Sequence, residues 1–362
     1  MIKKILIVIG IIVGIVILLG AVGIYYTQPN EHFVLDFIKK NPDRAAIKLI
    51  RNDSIIAEKN INKVMPLAST VKIILAIEYA IQSASGGLNP EEAIPIEELE
   101  KFYIPNTDGG AHPQWLTSVE SKITNNSISI REIAKGMIRY SSNANTEWLS
   151  RKLGLEKINQ RIDSLGITDH TDIYYLASSL FVGKEKFPDS KGKDLENKLR
   201  DLSIEEYRET TNTIHSKLVK DTIYKADIGD LGMNIQRIWS DNLPASTVNE
   251  YTQLMKKLNS KSYFDSKTYE YLDEVMEGLM QNPANQKWLS HAGMKGGSTA
   301  FVLTKALYAT DKKGNTTELA YFLNDLGIME STKIRASMNQ FELKILTDKE
   351  FRDKLAKTLK NK

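Results

Sequence analysis

At 362 residues with 42% hydrophobic content, the chain is long enough to bury a sizeable core. Lysine and arginine number 48 against 45 acidic residues, and a formal net charge of +3 provides no electrostatic basis for binding nucleic acid. Cysteine is absent, which excludes disulfides, thiol chemistry and lipidation at cysteine.

Lys3 and Lys4 precede an almost uninterrupted apolar stretch from Ile5 to Tyr26. As a helix it would measure about 33 Å, against about 30 Å for the hydrocarbon core of a bilayer. It exceeds the usual signal-peptide apolar region, and Leu19-Gly20-Ala21-Val22-Gly23 is a poor cleavage site, so residues 1–27 are expected to be an uncleaved single-pass anchor. Lysines before the stretch and none just after it place the remainder outside the cell membrane. With no internal repeat or low-complexity linker, residues 28–362 are expected to be one catalytic unit. Its sheet layer would come from about 30–65 and 290–362, its helical part from about 66–289, and a charged insertion would occupy about 183–232.

Glu31 to Lys40 has the spacing of an amphipathic helix through Phe33, Val34, Phe37 and Ile38. Ala45 to Arg51 and Ser54 to Lys59 alternate as two strands about an Asn52-Asp53 turn. Met65-Pro66-Leu67-Ala68-Ser69-Thr70-Val71-Lys72 then opens a run, Ile73 to Ile81, that is apolar on every side and so predicts a buried helix capped by Ser69 or Thr70. A hydroxyl at the mouth of that helix lies three residues from Lys72, whose desolvation favours the neutral amine, giving the minimum equipment for nucleophilic catalysis. The same spacing at Ser190-Lys191-Gly192-Lys193 sits in a charged, apolar-poor setting without that environment.

Ser83 to Ile104 reads as loop. It leads to Tyr103-Ile104-Pro105-Asn106-Thr107-Asp108-Gly109-Gly110, which either walls a pocket or is a surface loop with a packed tyrosine. Ile128 to Tyr140 is amphipathic and ends at Ser141-Ser142-Asn143 before a helix from Glu147 to Leu153. Ser141 offers a hydroxyl able to relay a proton, and Asn143 an amide able to hold a substrate carbonyl. Ser240-Asp241-Asn242 is a rival tripeptide, but Ser141 and Asn143 link two apolar helices, as a site deep in a helical layer requires. Between Gly183 and Gly232 the charged composition predicts a solvated helical insertion, with a partner-binding arm as the alternative. Lys295-Gly296-Gly297-Ser298 precedes two strands around Lys312-Lys313-Gly314-Asn315, and its glycines suit a strand edge that a ligand approaches. A helix capped by Thr347 or Asp348 closes the chain. The five histidines show no metal-ligand spacing, and His112 and His291 read as structural.

Ser69-Thr70-Val71-Lys72, Ser141-Ser142-Asn143 and Lys295-Gly296-Gly297, in that order, resemble the three motifs of the penicillin-recognising serine hydrolases, the class A β-lactamases and DD-peptidases. Pro66-Leu67-Ala68 and Tyr103 extend the resemblance, which covers nearly everything after the anchor except the charged insertion. It implies a mixed α/β (α+β) fold with an antiparallel five-stranded sheet flanked by helices and a mostly helical part in the middle. It also implies that Ser69 attacks a β-lactam or a peptidoglycan peptide amide, Lys72 takes its proton, Ser141 relays the proton to the leaving nitrogen, and Asn143 holds the substrate. Lys295 would attract a carboxylate, Gly297 would let the strand approach, Tyr103 would wall the pocket, and the Ser69 and Ser298 amides would form the oxyanion hole. No cofactor or metal is implied. Alternatives are a DD-peptidase or other cell-wall amide hydrolase, and a penicillin-binding sensor that does not turn over. Two departures stand out: Gly296 replaces the usual hydroxyl residue, and Asp169 to Gly183 lacks the Glu-x-x-Leu-Asn glutamate that activates the deacylating water, with only Asp169 and Asp172 as acids.

Overall fold

The computed structural model describes residues 13–16, 20, 23–221 and 223–360. Most of the expected Ile5–Tyr26 anchor lies outside these residues; among the described residues, no helix is long and apolar enough to cross a membrane. Helix α1 (Glu31–Lys40) is capped by the Asn30 side chain and buries Val34, Leu35, Phe37 and Ile38. Strands β1 (Ala45–Arg51) and β2 (Ser54–Lys59) join at Asn52 and Asp53, whose φ angles of 48° and 62° suit a tight hairpin. A helical stretch follows, containing α2 (Lys72–Ala84), α3 (Ala111–Val119), α4 (Ile130–Arg139), α5 (Asn143–Leu153), α6 (Gly192–Arg200), α7 (Ile204–Lys220), α8 (Met233–Asp241) and α9 (Val248–Asn259). The chain returns as β3 (Leu289–Ser298), β4 (Leu303–Asp311) and β5 (Thr316–Leu323), then closes with α10 (Ile328–Thr347) and α11 (Lys349–Lys360), the latter capped by Asp348.

The strands form one sheet in the order β2-β1-β5-β4-β3, each antiparallel to its neighbour. Side chains alternate between its faces. Leu319, Tyr321 and Leu323 enter a core shared with Ile38 of α1, Phe341 of α10 and Leu355 of α11. Ala320 and Phe322 face the larger core, which contains Tyr251 and Met255 of α9 and the apolar residues of α2. Every residue of α2 from Lys72 to Ala80 is buried, as an all-round apolar helix requires. That places an ammonium-bearing side chain at the dry end of a core helix.

Three expectations are corrected. Neither Ser69 nor Thr70 caps α2, because the chain enters through a 3₁₀ turn, Ala68–Val71, and the Thr70 hydroxyl is taken by Thr304. The stretch read as loop before Ile104 contains a strand, Ala93–Pro95, paired with Ser127–Ser129, and a short helix, Ile96–Glu100. The charged insertion is helical, but it is not simply solvated. Leu195, Leu199, Tyr207, Ile214 and Leu218 join the larger core, so its charged residues cover one side of a segment docked by the other.

Candidate active site

The Ser69 turn is held from three sides. Met65 and Pro66 pair antiparallel with Ser246 and Ala245, which fixes the approach of the chain. Thr304 of β4 donates to the Leu67 carbonyl at 2.7 Å and accepts from the Thr70 hydroxyl at 2.7 Å. Ala68 sits at φ 45°, a left-handed conformation unfavourable for a residue with a Cβ, and these contacts maintain it directly before Ser69. Gly297 of β3 completes the arrangement. A Cβ there would lie 2.4 Å from the Leu67 carbonyl oxygen and 2.6 Å from the Ser69 nitrogen, so only glycine lets this edge strand run so close to the Ser69 amide.

Lys72 is fully buried, and all three of its hydrogen bonds go to the Ser141–Asn143 loop. It reaches Ser141 O at 2.7 Å, Ser141 Oγ at 3.3 Å and Asn143 Oδ1 at 2.9 Å. Burial, then repulsion from Lys295, pushes its pKa well below that of an ordinary lysine, against a smaller opposing attraction from Asp108. A neutral amine has two N–H donors and one lone pair. The two carbonyl oxygens use the donors, which leaves the lone pair for a hydroxyl.

Ser141 stands at φ 69°, also left-handed, between α4 and α5. Its neighbour Ser142 locks the loop by accepting from the Asn145 amide at 3.2 Å, donating to Asn145 Oδ1 at 3.0 Å and lying 2.8 Å from His112 Nδ1. His112 is fully buried, and its Nε2 meets Glu100 at 3.0 Å. That bond holds the Glu100 carboxyl below the ordinary glutamate range. Lys295 approaches Ser141 Oγ from the sheet side at 3.0 Å and donates to Gly296 O at 2.8 Å. Burial, with Lys305 nearby, lowers its pKa to about 7. The Ser141 hydroxyl thus lies between two amines.

A cavity of about 560 Å³ opens over this cluster, lined by Ser69, Ser141, Asn143, Gly297, Ser298 and Thr299 among others. Of the residues singled out from the sequence, Tyr103 is placed differently. Its ring lies 4.9 Å from that of His112, and Thr107, Asp108 and Gly109 of its loop face the cavity instead. Sequence reasoning missed Leu176, Gln236, Trp239, Thr304 and Arg335, which also line it. Arg335 of α10 is fixed by the Ser331 hydroxyl at 3.1 Å and the Thr299 carbonyl at 3.0 Å, bringing a second cation to the end where Gly296 lacks a hydroxyl. The rival Ser240 is buried and donates to Thr299 at 2.9 Å, so it supports the cavity wall from behind. His291 lies on β3 near Glu277, away from this group.

Carboxylates near the reacting groups are already engaged. Asp108 accepts the amides of Gly110, Ala111 and His112 at 3.0–3.1 Å as it opens α3. Glu147, one turn beyond Asn143 on α5, accepts the amides of Ala177 and Ser178 at 2.8 and 3.2 Å, the Ser178 hydroxyl, and His215 Nδ1 at 3.1 Å. Asp172 is exposed and pairs with Arg208 at 3.1 Å. Where the resemblance calls for a water-activating glutamate, the loop presents Leu176 to the cavity.

A half-buried serine three residues before a buried lysine, set between an antiparallel sheet and a helical layer, defines a serine hydrolase acting on amide bonds. The sequence matches the β-lactamase enzyme family over residues 34–283, and the chain belongs to that family. The match includes Ser69, Lys72, Ser141 and Asn143 and ends before β3. Solved structures share the fold. A class A β-lactamase representative from Bacteroides cellulosilyticus is 17% identical, with a TM-score of 0.53, covering 88% of this chain and 98% of that one. The chromosome-encoded β-lactamase of Vibrio parahaemolyticus is 12% identical, with a TM-score of 0.54, covering 88% and 100% respectively. No curated protein sequence matches the chain.

Proposed function

We propose that this chain is a membrane-anchored, extracytoplasmic serine hydrolase of the class A β-lactamase type that opens β-lactams or related amides through an acyl-enzyme on Ser69. The observation that carries this reading is the meeting of the Lys72 and Lys295 amines at the Ser141 hydroxyl, with Asn143 accepting from Lys72, in the wall of the cavity that Ser69 also lines. Ser69 Oγ attacks the carbonyl carbon while the neutral Lys72 amine takes its proton, and the C–N bond breaks as Ser141 passes a proton to the leaving nitrogen. The Ser69 and Ser298 amides hold the oxyanion, Asn143 the substrate amide, and Lys295 with Arg335 a substrate carboxylate.

Deacylation is the weak step. Asp108 and Glu147 direct their carboxylate oxygens to backbone amides, so neither is free to orient a water molecule over Ser69. The acyl-enzyme is therefore expected to persist. This favours, as the second reading, a DD-peptidase or a penicillin-binding sensor. Placement outside the membrane rests on the Ile5–Tyr26 stretch and the lysines before it.

A labelled penicillin tests the proposal. Intact-mass analysis should show one adduct on Ser69 that decays slowly. Rapid release of hydrolysed drug would return the chain to the efficient β-lactamases, cleavage of a D-Ala-D-Ala peptide would select the peptidase, and no adduct would refute the acyl-enzyme.

A further inference from the structure

The charged insertion takes no part in the chemistry above, yet it touches two loops that wall the cavity. One wall is the loop containing Thr107, Asp108 and Gly109, which follows Phe102 and Tyr103; the other is the loop presenting Leu176. His215 of α7, only 5% exposed, is stacked between them. Its ring is nearly parallel to Phe102 on one face and to Tyr175 on the other, with centroid separations of 4.9 and 3.6 Å and an interplanar angle of 8° in each case. Its Nδ1 lies 3.1 Å from Glu147 Oε1, and Glu147 belongs to the helix that begins with Asn143 and holds the amides of Ala177 and Ser178.

Other contacts from the insertion converge on the same two walls. Tyr207 donates to the Ser179 carbonyl at 3.2 Å, and Lys225 donates to the carbonyls of Glu100 and, at 3.3 Å, Tyr103. The buried Nε2 of His215 has no hydrogen-bond partner among the described residues. A phenyl ring would stack as well without leaving a polar atom unpaired, so what histidine adds at this position is the Nδ1 link.

We propose that the insertion braces the cavity and that His215 is a positioning residue which sets the cavity's width, and with it the size of the acyl side chain admitted to Ser69. This rests on the acyl-enzyme reading above. One imidazole ties the Phe102 segment, the Tyr175 segment and α5 into a fixed spacing. Without it the rings close or part, and the walls shift against each other.

The test compares acylation of the full chain by two β-lactams, 6-aminopenicillanic acid, which has no acyl side chain, and a penicillin with a branched aromatic one. His215→Ala should change the small-to-bulky ratio of kcat/KM by about tenfold, the discrimination that one methylene of pocket shape confers, while the small compound reacts nearly as before. His215→Phe, which keeps the stack and loses the link, should fall between wild type and His215→Ala. Lys225→Met loosens the brace from outside and should also shift the ratio from its wild-type value, which keeps the test available where His215→Ala does not fold. An unchanged ratio in folded variants, or equal loss with both compounds, overturns the proposal. Failure of the wild type to form any adduct would instead sink the acyl-enzyme reading.

Discussion

Ser69–Lys72 and Ser190–Lys193 have the same spacing in the same chain, and the fold gives them opposite chemistry. Lys72 is fully buried at the start of a core helix, where desolvation and Lys295 favour its neutral form. Lys193 has a side chain 74% exposed and pairs with Glu196, while Ser190 accepts from Lys198 at 2.7 Å. Burial beside a second lysine drives the Lys72 ammonium toward its neutral form, and no such burial surrounds the Lys193 side chain. The motif therefore acquires its meaning from the dielectric around it.

The sharpest way to break this comparison is at the hydroxyls. Ser69→Ala should abolish the penicillin adduct seen by intact mass, whereas Ser190→Ala should leave it unchanged; an adduct on the Ser69 variant would move the nucleophile elsewhere. Next come the amines. Lys72→Met should lower the acylation rate by about 10²–10⁴-fold, the value of a positioned general base, and Lys193→Met should not alter it. Equal rates for the two lysine variants in stopped-flow acylation would remove the base from Lys72.

Lys295 sharpens the contrast through pH. Its pKa is lowered by folding to about 7, so the group is cationic below that pH and neutral above it. Attraction for a carboxylate is present on the acid side and lost as pH rises. The kcat/KM for a carboxylated β-lactam should accordingly fall above about pH 7, approaching ~tenfold per unit, on the limb that reports the free enzyme. A flat profile from pH 7 to 9 would assign the carboxylate to Arg335 alone.

The smallest expected effect lies in the two adjacent glycines. Gly297 faces backbone at 2.4 Å and admits no side chain, but a Cβ at Gly296 would meet nothing nearer than the Thr304 carbonyl at 3.4 Å. Gly296→Ser should therefore fold and, by adding one charge-assisted hydrogen bond to a substrate carboxylate, raise kcat/KM by roughly tenfold. No gain in the folded variant would show that Arg335 already satisfies that group.

The reactive groups were legible in the sequence because each motif is local. A serine precedes a run that is apolar on every side, Ser141 and Asn143 join two amphipathic helices, and Lys295 leads into a glycine-rich strand. The hairpin at Asn52-Asp53 and the helix Glu31–Lys40 were legible for the same reason, since period and turn chemistry are written over a few consecutive residues. The insertion misled because its abundant charge concealed the stripe of Leu195, Leu199, Tyr207, Ile214 and Leu218 that docks it.

The sequence by itself determined which hydroxyls and amines were available and the order in which the chain presents them. Tertiary structure alone decided that Arg335 of a late helix, Thr304 of an inner strand and Leu176 of a loop would share one cavity, and that Glu147 would turn away into amides and His215. No local pattern encodes those choices. They follow from packing between elements separated by tens to hundreds of residues, where the burial of an apolar face fixes the register and each polar side chain must then find a partner.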